Sequence, residues 1–252
     1  MTDYQREIDL DNLWFTIQTE ARLDAAAQPL LAALMERHIL NHGDFASALA
    51  SVLAEKLMDP PTEHADWQQQ FYKLIKANPA IEAAALKDLT CQLESNASIK
   101  DHYTPLLHFG SYQALQSHRL AHQYWQQGEQ AMACYIQGRV VSLYGVDIHP
   151  AAPIGAGIFM DHAVGVVIGE TAVVEDDVTL FQSVTLGGTG KGSGDRHPKI
   201  RKGAFVGSSA VILGNIEVGE GAKVAAGAAV VKPVEPGTTV VGPVAKPFIP
   251  KA

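Results

Sequence analysis

The hydrophobic pattern of the chain changes near residue 140. Before that point, apolar residues recur three or four positions apart, as at Leu49, Val52 and Leu53, a spacing typical of amphipathic helices. Capping and turn residues are expected to separate the helices at Gly43-Asp44, Pro60-Pro61-Thr62, Asn78-Pro79, Thr104-Pro105 and Gly128. The pattern therefore predicts about six or seven helices up to about residue 144.

After residue 147 the pattern has a period of six. Apart from two interruptions, an aliphatic residue stands at every sixth position: Ile148, Ile154, Ile168, Val174, Leu180, Leu186, Ile200, Val206, Ile212, Val218, Val224 and Val230. A helix has a period of about 3.6 and a strand a period of about 2, so neither explains this spacing. A triangular prism does, with one hexad on each face, three hexads in each turn and every aliphatic side chain pointing inward. A glycine after the aliphatic residue, as at Gly155 and Gly207, is expected to turn the corner with a positive φ.

The turns of such a prism pair as parallel strands about 4.8 Å apart. Each turn covers the apolar interior of the next, so the turns are stable only as a stack. The predicted fold class is therefore α+β. An N-terminal all-α helical domain covers residues 1–144, a left-handed parallel β-helix of hexapeptide repeats covers 145–240, and a tail covers 241–252. The glycine content agrees, since 4 of the 22 glycines precede residue 140 and 18 follow it.

Both interruptions of the six-residue period contain polar residues. The step from Ile154 to Ile168 exceeds two hexads by two positions, and the segment between them includes Asp161-His162. The step from Leu186 to Ile200 spans 14 positions as well. This second segment is rich in glycine and charge, which predicts a loop extruded from the prism at about 187–199. Loops displaced from a rigid scaffold commonly carry function.

Composition and charge narrow the classes of function. The chain has 19 Lys and Arg against 27 Asp and Glu, a formal charge of −8, which argues against a nucleic-acid partner. No apolar run approaches the ~18 residues of a membrane span, and the polar first residues do not resemble a secretory signal. Two cysteines, Cys91 and Cys134, cannot form a disulfide framework and are expected to be small core residues. We expect a cytoplasmic protein without a membrane partner.

Four segments of the second part together resemble the serine acetyltransferase family: 146–150 (VDIHP), 161–165 (DHAVG), 182–190 (QSVTLGGTG) and 194–199 (GDRHPK). The resemblance runs from about Thr104 to Thr239. It implies an acyltransferase that moves acetyl from acetyl-CoA to the hydroxyl of L-serine and gives O-acetyl-L-serine for cysteine biosynthesis, with no metal. It also implies feedback inhibition by cysteine and a homo-oligomer, a dimer of trimers joined through the helical domain, with active sites between neighbouring prisms.

The resemblance assigns catalytic roles to His162 and Asp147. A serine hydroxyl is barely ionised at neutral pH, so its attack on a thioester needs a general base with a pKa near 7, which suits histidine. His162 is that base by resemblance, and Asp147 accepts its other N–H and fixes the tautomer.

The family also implies two sets of binding residues. The acceptor set comprises Asp161 near the ammonium, Arg196 as a forked donor to the carboxylate, His197 and Asn96. The coenzyme A set, between coils, comprises Thr189, Ser208, Ala226, Gly227 and Lys232, the last for a phosphate.

The sequence departs from the family in two places. Asn96 stands where the family commonly has an aspartate that contacts the amino acid, so one negative charge near the ammonium is missing. Members that bind O-acetylserine sulfhydrylase do so through a flexible tail ending in isoleucine, whereas this sequence ends in Pro250-Lys251-Ala252. A sequence that ends without isoleucine is not expected to bind O-acetylserine sulfhydrylase in this way.

Three alternatives stay open. The closest is a hexapeptide-repeat acetyltransferase for another small hydroxyl acceptor. A γ-carbonic-anhydrase-like metal lyase needs three histidines, two of them close in sequence, whereas His149, His162 and His197 are all widely separated along the chain. The third is a non-catalytic interaction module, which would give the two displaced segments no purpose. Neither a Walker A loop nor a dinucleotide fingerprint fits the glycine-rich loop, because Thr185 and Ser193 stand where each motif needs glycine.

Overall fold

The computed structural model describes residues 10–60, 62–243 and 245. Pro61 of the second predicted helix break and most of the predicted tail lie outside the described residues. Within the described part, the first portion forms eight α-helices: α1 (Leu10–Ala27), α2 (Pro29–Met35), α3 (Phe45–Leu57), α4 (His64–Ala77), α5 (Pro79–Ser95), α6 (Thr104–His108), α7 (Gly110–Gln126) and α8 (Gln130–Tyr144). A π-helical segment (Glu36–Leu40) continues α2. The expected six or seven helices were too few, because helices as short as α2 and α6 have too few turns to show a hydrophobic period.

Capping chemistry explains where several helices begin and end. The side chain of Asp44 accepts the N–H of Ser47 at 2.8 Å and caps α3 as expected, and Pro79 occupies the first turn of α5. Gly128, with φ at 81°, follows α7. The prediction that Thr104 caps α6 was wrong. Thr104 is already helical, and its N–H donates to the Asp101 carboxylate at 2.6 Å.

The second portion contains thirteen described strands of two or three residues each. They are β1 (Asp147–Ile148), β2 (Phe159–Met160), β3 (Val167–Ile168), β4 (Val173–Val174), β5 (Thr179–Leu180), β6 (Thr185–Gly187), β7 (Lys199–Ile200), β8 (Phe205–Val206), β9 (Val211–Leu213), β10 (Glu217–Val218), β11 (Lys223–Val224), β12 (Ala229–Val230) and β13 (Thr239–Val240). All their pairings are parallel, and they form three sheets. We call these face A (β1-β3-β6-β9-β12), face B (β4-β7-β10) and face C (β2-β5-β8-β11-β13).

The register of the strands confirms the three-hexad turn. Ile168 pairs with Leu186, which follows it by three whole hexads. Ile148 pairs with Ile168, and Leu186 pairs with Ile212, although each of these steps is longer than three hexads. The excess is two positions in the first case and eight in the second, so the two interruptions leave the prism without disturbing its register. Every predicted interior aliphatic is buried except Ile154, which is partly exposed.

The reason for the glycines after the interior aliphatics differs from the prediction. Gly155 and Gly207 do not have positive φ, so the expected corner conformation was wrong there. A Cβ on Gly207 would lie 2.7 Å from the backbone N of Ala226 in the next coil. These positions exclude side chains because neighbouring coils approach closely. Positive φ occurs a few residues later, at non-glycine corners such as Ser183 and Ser209 as well as at glycines.

A buried ion pair joins the helices to the first coil of the prism. Asp88 of α5 is fully buried, and its carboxylate lies 2.6 Å from Nη2 of Arg119 on α7. The other carboxylate oxygen accepts the N–H of Ile158 at 2.9 Å, while Arg119 donates to the carbonyls of Ile154 and Gly155. Both charges therefore satisfy main-chain groups of the prism, which holds the two portions together.

Candidate active site

His162 lies at the corner between faces C and A, in the shorter interruption. Two extra residues between β2 and β3 make this corner wider than the corresponding corner after β5. Both His162 and Ala163 have positive φ, 57° and 64°, which is uncommon for side chains other than glycine. The His162 side chain is 73% exposed as a result. The two-residue insertion thus lifts the imidazole out of the prism, where it can meet a substrate.

The two residues predicted to form a dyad lie in adjacent coils at this corner. Asp147 begins β1 and pairs with Val167, the first residue of the strand that follows His162. The Asp147 carboxylate accepts the side-chain N–H of Gln137 at 2.7 Å, and Nε2 of His162 lies 3.5 Å from the Asp161 carboxylate. Within the described residues, no hydrogen bond joins His162 to Asp147. Gln137 belongs to α8 and carries no motif, so the sequence did not indicate its contact with Asp147.

Asn96 lies near the same corner through helix α5. Gln92, one turn before Asn96, donates to the carbonyl of Met160 at 3.2 Å, so the end of α5 lies beside Asp161. The Asn96 side-chain oxygen accepts the N–H and the hydroxyl of Ser98, at 3.0 and 2.6 Å. Asn96 is therefore engaged in a local turn, about one helical turn from the contact with β2.

The longer interruption leaves the corner between faces A and B. Its residues 189–195 are exposed, and the chain returns to the prism at Arg196. Nη2 of Arg196 lies 2.6 Å from the Glu170 carboxylate, and Nη1 donates to the Gly194 carbonyl at 3.0 Å. The hydrogen bond and positive charge of Arg196 hold the pKa of the Glu170 carboxyl below its ordinary value. Glu170 was missed by the sequence analysis because it belongs to a different coil and lies far from its partner along the chain.

His197 is 7% exposed and packs beside Gly169, the residue that follows β3. A Cβ on Gly169 would lie 2.1 Å from the imidazole, so only glycine leaves room for the ring. Nδ1 of His197 faces Thr171, whose hydroxyl lies 2.8 Å away. Burial lowers the pKa of His197, and the positive charge of Arg196 lowers it further. The imidazole is thus held neutral beside a guanidinium.

The predicted coenzyme A residues also divide between the two corners. Ser208, Ala226 and Gly227 follow His162 down the corner between faces C and A, where the N–H of Gly227 donates to the Ser208 carbonyl at 2.8 Å. Their small side chains leave the backbone open to an extended ligand. Thr189 and Lys232 are exposed residues that follow strands of face A, on the side of Arg196.

Face A therefore separates two groups of predicted site residues. The first group is at the corner of His162, and the second is at the corner of Arg196 and His197. Between the corner glycines Gly165 and Gly169, four residues at about 3.3 Å each give a separation of roughly 13 Å. The two groups therefore project from opposite edges of face A within a single prism.

Other candidate groups have structural contacts. His118 and His122 of α7 bond the carbonyls of Ala152 and Pro150, at 3.0 and 2.7 Å. Nδ1 of His149 accepts the N–H of Ala151 at 3.1 Å. Cys91 is partly buried but Cys134 is exposed, so the expectation of two core cysteines was wrong for Cys134, which lies on an open side of α8.

Two further features concern the described residues only. No three metal-ligating side chains come together among them. None of the helices described is both long and apolar enough to cross a bilayer.

Known proteins match both portions of the chain. The sequence model of the serine acetyltransferase N-terminal domain matches residues 13–117, within the helical portion. Over 234 residues the chain is 46% identical to the serine acetyltransferase of Salmonella typhimurium, covering 93% of this chain and 86% of that protein. The chain belongs to the serine acetyltransferase family.

Solved structures extend the family relationship to the whole fold. The serine acetyltransferase of Brucella abortus in complex with coenzyme A has a TM-score of 0.90 at 41% identity, with 95% of each chain covered. A serine acetyltransferase in complex with cysteine also has a TM-score of 0.90 at 41% identity, covering 95% of this chain and 99% of that one. The prediction of a helical domain followed by a left-handed parallel β-helix is confirmed, as is the predicted activity class, an acyltransferase that uses acetyl-CoA.

Proposed function

We propose that this serine acetyltransferase uses His162 as a general base in direct acetyl transfer from acetyl-CoA to L-serine. The observation that carries the proposal is the two-residue insertion that exposes the His162 imidazole at a corner of the rigid prism. His162 takes the hydroxyl proton as the serine oxygen bonds to the acetyl carbon. The carbon–sulfur bond then breaks, and the proton passes to the departing thiolate, giving O-acetyl-L-serine and coenzyme A. Neither cysteine takes part.

Asp147 supports His162 in this proposal. A rotation of the exposed imidazole away from Asp161 directs one ring N–H to the Asp147 carboxylate and leaves the other nitrogen for serine. Gln137 already holds one oxygen of Asp147 at 2.7 Å, so the second oxygen has a defined direction. The carboxylate then fixes the tautomer and stabilises the imidazolium that forms.

The acceptor residues supply the opposite charges that an amino acid needs. Arg196 and the neighbouring His197 bind the carboxylate of serine, and Arg196 exchanges its contact with Glu170 for the substrate. Asp161 binds the ammonium, and Asn96 contributes an uncharged acceptor. Cysteine has the same ammonium and carboxylate, which supports its role as a competitive inhibitor, as does the solved relative with cysteine bound.

We further propose that each active site forms between two copies of this chain. The separation of roughly 13 Å between the two corners of one prism supports a site in which the corner of His162 in one copy meets the corner of Arg196 in its neighbour. Exposed apolar side chains flank His162, including Val164 at 63% and Val167 at 39%, and would be covered by such a neighbour. A trimer closes this head-to-tail contact, and the helical domain over residues 1–144 joins two trimers.

Coenzyme A is proposed to lie along the column formed by Ser208, Ala226 and Gly227. Thr189 and Lys232 would come from the neighbouring copy, the lysine to a phosphate. We propose a cytoplasmic location, because the two free cysteines suit a reducing compartment. A complex with O-acetylserine sulfhydrylase is not included in the proposal.

The test is an acetyl-CoA consumption assay with serine, homoserine and threonine as acceptors. We expect serine to be the preferred acceptor. His162→Ala should lower kcat by about 10²–10⁴-fold, the usual contribution of a general base, without changing the fold. His108→Ala, at an exposed histidine on α6, is the matched control and should keep wild-type turnover.

Two results would contradict the proposal. Normal turnover of a folded His162→Ala variant would remove the general base, and preference for another hydroxyl acceptor would favour the related acetyltransferase activity instead.

A further inference from the structure

Thr171 holds one end of the extruded loop without belonging to the loop. It lies between β3 and β4 at the corner of faces A and B. Its hydroxyl oxygen accepts the main-chain N–H groups of Arg196 and His197, at 3.0 and 3.2 Å. Its carbonyl accepts the ammonium of Lys199 at 2.6 Å. A single residue thus fixes the main chain beneath both side chains assigned to the serine carboxylate.

Thr171 also determines which nitrogen of His197 carries the proton. The N–H of Thr171 donates to Nδ1 of His197 at 3.2 Å. Because a backbone N–H can only donate, Nδ1 must be the acceptor, and the neutral ring then carries its hydrogen on Nε2. Nε2 has no hydrogen-bond partner among the described residues, so its N–H is free to donate to a carboxylate.

The packing of the ring agrees with this arrangement. A Cβ on Gly169 would lie 2.1 Å from Cδ2 and Nε2 of His197, so the imidazole fills the space beside this glycine. Gly188 is also near Nε2, because a Cβ there would lie 3.5 Å from it. Turning the ring to exchange its two nitrogens would break the hydrogen bond from the Thr171 N–H to Nδ1.

We propose that Thr171 is a positioning residue for the amino-acid acceptor, because its hydroxyl and N–H latch the returning loop and present Nε2–H of His197, beside Arg196, to the carboxylate. The inference rests on the proposed function for the roles of Arg196 and His197. Thr171 itself does not touch the substrate.

The test compares Thr171→Val, which removes the hydroxyl at nearly constant shape, with Thr171→Ser, which keeps it. Thr179→Val is the matched control, since Thr179 lies on face C and its hydroxyl has no partner among the described residues. Amide hydrogen exchange at Arg196 and His197 measures the latch directly and does not depend on activity. Steady-state kinetics with serine and acetyl-CoA measure its consequence.

We expect Thr171→Val to speed exchange of the two amides by about 10-fold, as the loss of a hydrogen bond each predicts. The serine KM should rise by about 10-fold while kcat and the acetyl-CoA KM change by less than about twofold. Thr171→Ser and Thr179→Val should resemble the wild type in both measurements.

Two outcomes would overturn the inference. Wild-type exchange in Thr171→Val would show that the hydroxyl does not hold the loop, and faster exchange with an unchanged serine KM would show that the latch does not position the acceptor site. An inactive wild-type protein would instead contradict the proposed function, and the exchange measurement would still report on the latch.

Discussion

Arg196 is occupied by a protein carboxylate before any substrate arrives. Glu170 holds one end of the guanidinium at 2.6 Å and so orients the remaining N–H groups. Asn96 is similarly engaged by Ser98. Serine must therefore displace protein groups from Arg196 and Asn96 when it binds to the acceptor site.

The shape of the Arg196 side chain should matter more than its charge. Arg196→Lys keeps the positive charge but loses the forked donor that can bond one carboxylate through two parallel N–H groups. We expect the serine KM to rise about 10-fold or more while the acetyl-CoA KM changes little. Initial-rate kinetics with each substrate varied in turn decide this, and equal changes in both KM values would place Arg196 outside the acceptor site.

At the scale of elements, helix α7 carries a buried histidine into the junction with the prism. His118 donates through Nε2 to the Ala152 carbonyl at 3.0 Å, and Nδ1 has no partner among the described residues. Burial, together with the neighbouring His122 and Arg119, lowers the pKa of His118 to about 3. The fold therefore requires this imidazole to be neutral.

This requirement predicts a pH dependence of stability. Since the folded-state pKa lies below the unfolded value near 6.5, the contribution is complete above pH 6.5 and is lost as the pH falls towards 3. At pH 5 the loss is about 2 kcal/mol. His118→Gln keeps the Nε donor without a titrating group, so its unfolding free energy should fall less between pH 7 and 5. The free energy of unfolding of both proteins is measured by denaturant unfolding at pH 7 and at pH 5. An equal fall in the two proteins would contradict the prediction.

The elements that could be predicted from the sequence are those that repeat. Twelve aliphatic residues in one period determine the interior of the prism, and counting along the sequence also locates the two interruptions, Ile154 to Ile168 and Leu186 to Ile200. The cause of the glycine after each aliphatic residue could not be predicted in the same way. Gly155 is small because Asp176 of the next coil lies against it, a contact that local sequence does not indicate.

Prediction was weakest for contacts between distant segments. His162 and Arg196 stand in motifs and were found. The residues that bond the site from other coils and helices were not: Gln137 bonds Asp147, and Glu170 and Thr171 both bond Arg196. Nor could the sequence alone show that His162 and Arg196 project from different corners, since that depends on how many residues each interruption adds.

At the scale of the whole molecule, a site shared between copies has a measurable signature. His162→Ala and Arg196→Ala should each be nearly inactive alone. In oligomers that contain both chains at equal ratio, about one quarter of the sites combine an intact His162 corner with an intact Arg196 corner. Differently tagged chains, co-expressed and purified through both tags, should therefore regain about a quarter of wild-type activity. No recovery in mixed oligomers would mean that each site lies within one chain.

The later coils of the prism pack on the coil above and the coil below, and this stacking determines how the prism responds to force. Tension applied to the last strand would release the coils one at a time from that end. A coil of three hexads adds about 60 Å of contour length, whereas the longer coil between Leu186 and Ile212 adds about 90 Å. A force–extension record would therefore show one step half again as long as its neighbours, and that step would mark the coil that carries the extruded loop.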